Sequence, residues 1–170
     1  QKLVDIGVMP SLELGKAGYN DYILNGLIYQ ITRIPLGESI EEAHMRNRQM
    51  ICKWVYEKGK TKQVIEKVSK EGKTYIVIND YLELRNLFGD LLAEVQRIKS
   101  EGDYEAGKAL VENYGVKIER DLHEEVLQRY AKLAIPPYAG FVNPQLVPVF
   151  DGNQLIDVKV VYPESFTDQM

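Results

Sequence analysis

The run Ile135-Pro136-Pro137-Tyr138 sets the strongest limit on what this sequence can fold into. Proline lacks a backbone N–H and its ring clashes with the preceding helical turn, so two in succession stop any helix that reaches them. Before the run, apolar residues recur at helical spacing. After it, Gly140 to Val149 and Leu155 to Val161 favour extended structure, with Asp151-Gly152-Asn153 as the turn between them. The expected fold class is therefore mainly α with two small β-hairpins. A helical part spans residues 1–134 and includes one hairpin near 64–78; a second hairpin and a tail occupy 135–170. A lone two-stranded hairpin is marginal in water, so the second one is expected to pair with strands from a part of the protein outside this sequence.

Within the helical part, Pro10-Ser11 opens a long helix carrying Leu12, Leu14, Tyr19, Tyr22, Ile23, Leu27, Ile28 and Ile31 on a broad apolar face, and Pro35 ends it. Gly15, Gly18 and Gly26 each weaken an exposed helix by roughly 1 kcal/mol, so their presence predicts close packing against a neighbour. Ser39-Ile40-Glu41-Glu42 reads as a capping box with Ser39 as N-cap, opening a helix that carries Ile40, Ala43, Ile51, Trp54 and Val55 and closes at Gly59. Val64 to Val68 and Thr74 to Ile78 flank the short loop Ser69-Lys70-Glu71-Gly72-Lys73; they read as a hairpin, although the first arm also fits the end of a short helix. Asp80 and Glu83 form a capping-box-like pair before a helix with Leu84, Leu87, Phe88, Leu91, Leu92, Val95 and Ile98 on one side, ended by Gly102. Asp103 to Tyr114 and Asp121 to Leu133 give two further helices separated by Gly115.

Several function classes are excluded by content. Net charge is −4 with acids and bases interspersed, so no basic block exists to attract a phosphate backbone, and nucleic acid is not an expected partner. No apolar run approaches the length of a membrane span, and the single Cys52 permits no internal disulfide, which fits a reducing, cytoplasmic setting. The phosphate-loop and nucleophile-elbow motifs are missing; Gly72-Lys73-Thr74 is a turn. Glu41-Glu42 and Glu124-Glu125 read as helix N-terminal charges facing water. His44 and His123 are the only two histidines, and neither has a second at zinc-motif spacing; with Cys52 alone beside them, a catalytic zinc with three protein ligands cannot be assembled from local motifs. The remaining candidate is Ala43-His44-Met45-Arg46-Asn47-Arg48, where His44 and Arg48, four apart, share one helix face. An imidazole and a guanidinium so placed suit a carbonyl oxygen or a carboxylate; a solvated helix face is the plainer reading of the same spacing.

The segment Ile40-Glu41-Glu42-Ala43-His44-Met45-Arg46-Asn47-Arg48 resembles the Ala-His-Met-x-x-Arg segment of the dipeptidyl peptidase III family. Tyr22 to Leu27, Gly72 to Tyr81 and Tyr138 to Pro144 are similar to bacterial members and keep their order. The resemblance implies zinc exopeptidases that release dipeptides from the N-termini of short peptides. It also implies a two-lobed protein, with this helical part in the zinc lobe and the C-terminal strands crossing to the other. The family's His-Glu-x-x-x-His and Glu-Glu-x-Arg helices are not in this sequence, so by the resemblance they lie upstream, in a missing N-terminal part of the same protein. Zinc then belongs to the intact parent and not to these 170 residues, which alone are expected to be inactive. Carried over, His44 matches the substrate-contacting histidine and Arg48 the arginine that lines the same cleft; the basic residues that some members place before Asn143-Pro144 are not matched at Ala139-Gly140. A different class, a non-catalytic helical protein-interaction module, rests on the acidic amphipathic helices and unpaired strand edges.

Overall fold

The computed structural model describes residues 5–8, 11–134 and 143–164. Expectations that fall on Pro10, on 135–142 and on 165–170 lie outside the described residues. The described chain is mainly helical with two small antiparallel two-strand sheets, and it divides into two compact units, 1–133 and 134–170.

In the first unit, Ser11 caps helix α1 (Leu12–Leu24) by accepting from the Leu14 N–H at 3.2 Å. The α-helix does not run on to Arg33 as the periodicity predicts. A π turn follows over Asn25–Tyr29, then a 3-10 turn over Gln30–Arg33. The π turn lies where the backbone touches the next helix: a Cβ on Gly26 would stand 2.2 Å from Cys52 Sγ and 2.8 Å from Cys52 Cβ. Of the glycines taken for close packing, Gly18 is a correction, since it faces open space.

Helix α2 (Ala43–Lys58) starts later than the sequence pattern predicts. Glu42 is its N-cap rather than Ser39, with its carboxylate accepting from His44 N–H at 3.0 Å and Met45 N–H at 2.7 Å; those two bonds hold the carboxyl below its ordinary range. The physical reason is Ile40. Its side chain is fully buried, its N–H donates to Val116 O at 3.2 Å, and its carbonyl accepts from Arg46 Nε at 2.6 Å. Residues committed to that docking are not available to form a first helical turn.

Strands β1 (Ile65–Lys70) and β2 (Lys73–Ile78) pair with Lys70 opposite Lys73, so the loop is two residues rather than five. Glu71 and Gly72 both take positive φ, 53° and 70°, the backbone twist that suits a two-residue hairpin. Helix α3 (Tyr81–Glu101) is capped by Asp80, which accepts from the Glu83 N–H at 2.9 Å, but Glu83 pairs with Lys62 and Asn86 rather than reaching back. Leu84, Leu87 and Leu91 are buried, whereas Leu92 is exposed, one residue being enough to rotate it off the packed face. Asp103 caps helix α4 (Tyr104–Tyr114) through Ala106 N–H at 3.0 Å, and helix α5 spans Arg120–Ala131.

The core joins Ile23 and Leu27 to Cys52, Trp54 and Val55 of α2, Val64 and Ile65 at the start of β1, and the three buried leucines of α3. Each buried aliphatic side chain contributes about 1.5–3 kcal/mol. In the second unit, β3 (Gln145–Asp151) pairs with β4 (Gln154–Val161) through the two-residue turn Gly152-Asn153, with a bulge between Val149 and Phe150. Leu146, Phe150, Leu155, Ile156, Val158 and Val160 are all exposed on it.

Because Gly26 lies on Cys52, Gly26→Ala is expected to destabilise the chain by about 1–3 kcal/mol, the usual cost of overpacking. Adding Cys52→Ala, which removes the nearer atom, recovers part of the loss. Urea unfolding of the three proteins checks this; an unchanged midpoint for Gly26→Ala would show that the two segments do not meet as described.

Candidate functional site

The residues singled out from the sequence lie on the first two turns of α2. His44 is exposed, with its backbone N–H taken up by the Glu42 cap. Arg48, one turn further, is half-buried, and its Nη1 donates to Asn25 Oδ1 at 3.1 Å. Asn25 is the first residue of the π turn. Its own N–H donates to Asp21 O and Tyr22 O, and its carbonyl accepts from the Gln30 N–H.

Two more groups feel the charge of the guanidinium. Burial raises the Tyr22 hydroxyl above its ordinary value; Cys52 adds to the shift and the positive charge of Arg48 opposes it. Burial likewise pushes the Cys52 thiol up to about 12, against a smaller pull from Arg48, and Cys52 Sγ sits 3.5 Å from Tyr22 O. Among the described residues no carboxylate forms an ion pair with Arg48. Arg97, by contrast, binds Glu94, Glu101 and Asp103, and Arg129 binds Glu125. Arg48 is therefore a half-buried cation with one neutral hydrogen-bond partner and donors to spare, and it meets the Glu42 carboxylate only through space.

The second histidine does something else. His123 is 1% exposed, and its Nε2 lies 3.0 Å from both Ile31 O and Ile34 O. Two carbonyls only accept, so Nε2 carries the proton and donates to both. This ties α5 to the end of the 3-10 turn. A catalytic zinc comes with the family that the sequence resembles. Among the described residues no three His, Cys, Asp or Glu side chains gather as a metal-binding set. The one buried histidine is spent on carbonyls and the thiol is buried and protonated. Zinc thus does not fit the described residues.

Sequence reasoning missed three things. Asn25 gives no local signal, since its partner lies 23 residues on and the π turn has no separate periodicity. Gln30 is buried, with Nε2 donating to Gly26 O at 3.0 Å, Met45 O at 3.3 Å and Gln49 Oε1 at 3.3 Å; nothing in the apolar pattern marks it. Glu125 is the third. Its neighbour Glu124 is exposed, but Glu125 accepts from Thr74 N at 2.7 Å, Thr74 Oγ1 at 2.5 Å and Arg129 Nη1 at 3.0 Å, which corrects its reading as a water-facing charge. Burial opposes its ionisation, but the Thr74 and Arg129 bonds outweigh burial and hold the carboxyl below its ordinary range.

A search against models of protein families matched none of them, and a search of curated proteins found no significant match. Among the described residues no helix is long and apolar enough to cross a membrane.

With its thiol so high, Cys52 is expected to stay unreactive towards a thiol-disulfide reagent at pH 8 in the folded chain and to react in full on unfolding. Prompt modification without denaturant would contradict the burial that fixes the Gly26–Cys52 contact.

Proposed function

We propose that this chain is the C-terminal part of a cytoplasmic, zinc-dependent exopeptidase of the dipeptidyl peptidase III type, which removes dipeptides from the N-termini of short peptides. The observation that carries the reading is the pairing of an exposed imidazole with a guanidinium that has no carboxylate partner among the described residues, one turn apart on α2 within the Ala43 to Arg48 segment. In this reading His44 contacts the peptide carbonyl, and Arg48 supports the same cleft with its spare N–H donors. Donors aimed at the oxygen where negative charge develops lower the barrier to attack. The zinc ligands and the general base come from helices outside this sequence, and the 170 residues alone neither hold the metal nor cleave peptides.

One observation favours a second reading, a non-catalytic interaction module: the β3–β4 hairpin exposes apolar side chains and two strand edges. The gene sequence coding upstream of Gln1 separates the two. A His-Glu-x-x-x-His helix there supports the peptidase, and its absence leaves the module.

The activity test uses the full peptidase chain carrying His44→Ala or Arg48→Ala, with release of an Arg-Arg dipeptide from a chromogenic substrate as the readout. Each substitution is expected to lower kcat/KM by about 10²–10³-fold, the range for losing a donor to a developing oxyanion. Unchanged activity in both would remove them from the site.

A further inference from the structure

A guanidinium at the end of a long, flexible side chain is useful only if something fixes where it points. For Arg48 that something is a single bond, Nη1 to Asn25 Oδ1 at 3.1 Å. Asn25 is well suited to act as a fixed post. Its backbone is held at both ends, N–H to Asp21 O and Tyr22 O and carbonyl to the Gln30 N–H, and the next residue, Gly26, is seated on Cys52 one turn along α2 from Arg48. Backbone packing thereby sets the distance between the Asn25 main chain and α2, and only two side-chain torsions remain to place the carboxamide.

The identity of the partner matters as much as its position. Among the other half-buried arginines of this chain, Arg97 and Arg129 are neutralised by carboxylates, while Arg46, like Arg48, has a neutral partner, its Nε donating to the Ile40 carbonyl. Asn25 offers an oxygen without a charge, so it orients Arg48 while leaving its full positive charge and its other N–H donors for a ligand. An aspartate at the same place would form an ion pair and spend that charge.

We infer that Asn25 is a positioning residue that aims the Arg48 guanidinium into the substrate cleft through a neutral hydrogen bond. This rests on the peptidase reading above and adds to it a residue, and a requirement for neutrality, that the sequence resemblance does not supply.

The test is a set of variants in the full peptidase chain: Asn25→Ala, Asn25→Asp and Arg48→Ala, with each Asn25 change made both with Arg48 present and in the Arg48→Ala background. Helix content and Tm are recorded for each, and kcat and KM are measured on the chromogenic Arg-Arg substrate. Asn25→Ala is expected to lower kcat/KM about tenfold when Arg48 is present and less than twofold when it is absent, because a residue acting through another has nothing left to act on. Asn25→Asp keeps the oxygen and is expected to hold Tm at or above the parent value while still lowering kcat/KM about tenfold. Equal losses in both backgrounds would overturn the inference in favour of a purely scaffolding role, as would full activity in Asn25→Ala or in Asn25→Asp. Full activity in Arg48→Ala alone would overturn it by a separate route, because the arginine would then lie outside the site. Loss in Arg48→Ala with none in Asn25→Ala would end the positioning claim and leave the peptidase reading standing.

Discussion

The contact between Gly26 and Cys52 governs the helical unit. The π turn has no room for a side chain at this crossing, and α2 presents only a buried thiol to it. The α-helix gives way at that point to a π turn, with Asn25 and Gly26 as its first residues. From this contact the rest is arranged outward. Ile23 and Leu27, on either side of it, enter the common core with Trp54, Val55 and the leucines of α3. Gln30, one turn on, bonds to Gly26 O and bridges to Met45 and Gln49. His123 then fastens the end of the same segment to α5. A buried amide and a buried imidazole are costly unless bonded; here the Gln30 amide nitrogen and the His123 imidazole are used to fix backbone, while Gln30 Oε1 has no hydrogen-bond partner among the described residues.

That packing leaves one edge of the crossing chemically open. Arg48 emerges beside the π turn with an amide as its anchor, next to an exposed imidazole on the preceding turn of α2. Carboxylates neutralise the half-buried guanidinium groups of Arg97 and Arg129, whereas Arg46 and Arg48 are held by neutral oxygens. The hairpin β1–β2 is by contrast fully committed: Thr74 is clasped by Glu125 and Arg129, and Lys67 by Glu119, so its position relative to α5 is set by charge-assisted bonds.

Much of this architecture could be read from residue order. Ser11 and Asp80 announce their helices because a short polar side chain before an apolar period has few other uses, whereas Asp103, read as the first helical residue, is the cap itself. Both hairpins follow from extended apolar runs around turn residues. The failures share one cause, a long-range contact overriding a local pattern. Ile40 is drawn into the loop at Val116 and moves the N-cap from Ser39 to Glu42. Glu83 meets Lys62 across the chain and abandons the capping box. The π turn and Asn25 were invisible because a widened turn carries no separate periodicity, although Gly26 marked the place. His44 and Arg48 were legible as a pair at helical spacing; the Asn25 partner of Arg48 was not.

If the π turn and α2 form the rigid centre from which the site is hung, their amides should open last. Hydrogen exchange on the native chain, followed by mass spectrometry of overlapping peptides, reads this directly. Residues 26–31 and 51–56 are expected to exchange more slowly than 104–114, a helix in which no described residue is fully buried, and to open together as one unit. Faster exchange at 26–31 than at 104–114 would mean that the crossing is not the centre of the fold, and that Arg48 has no fixed post to lean on.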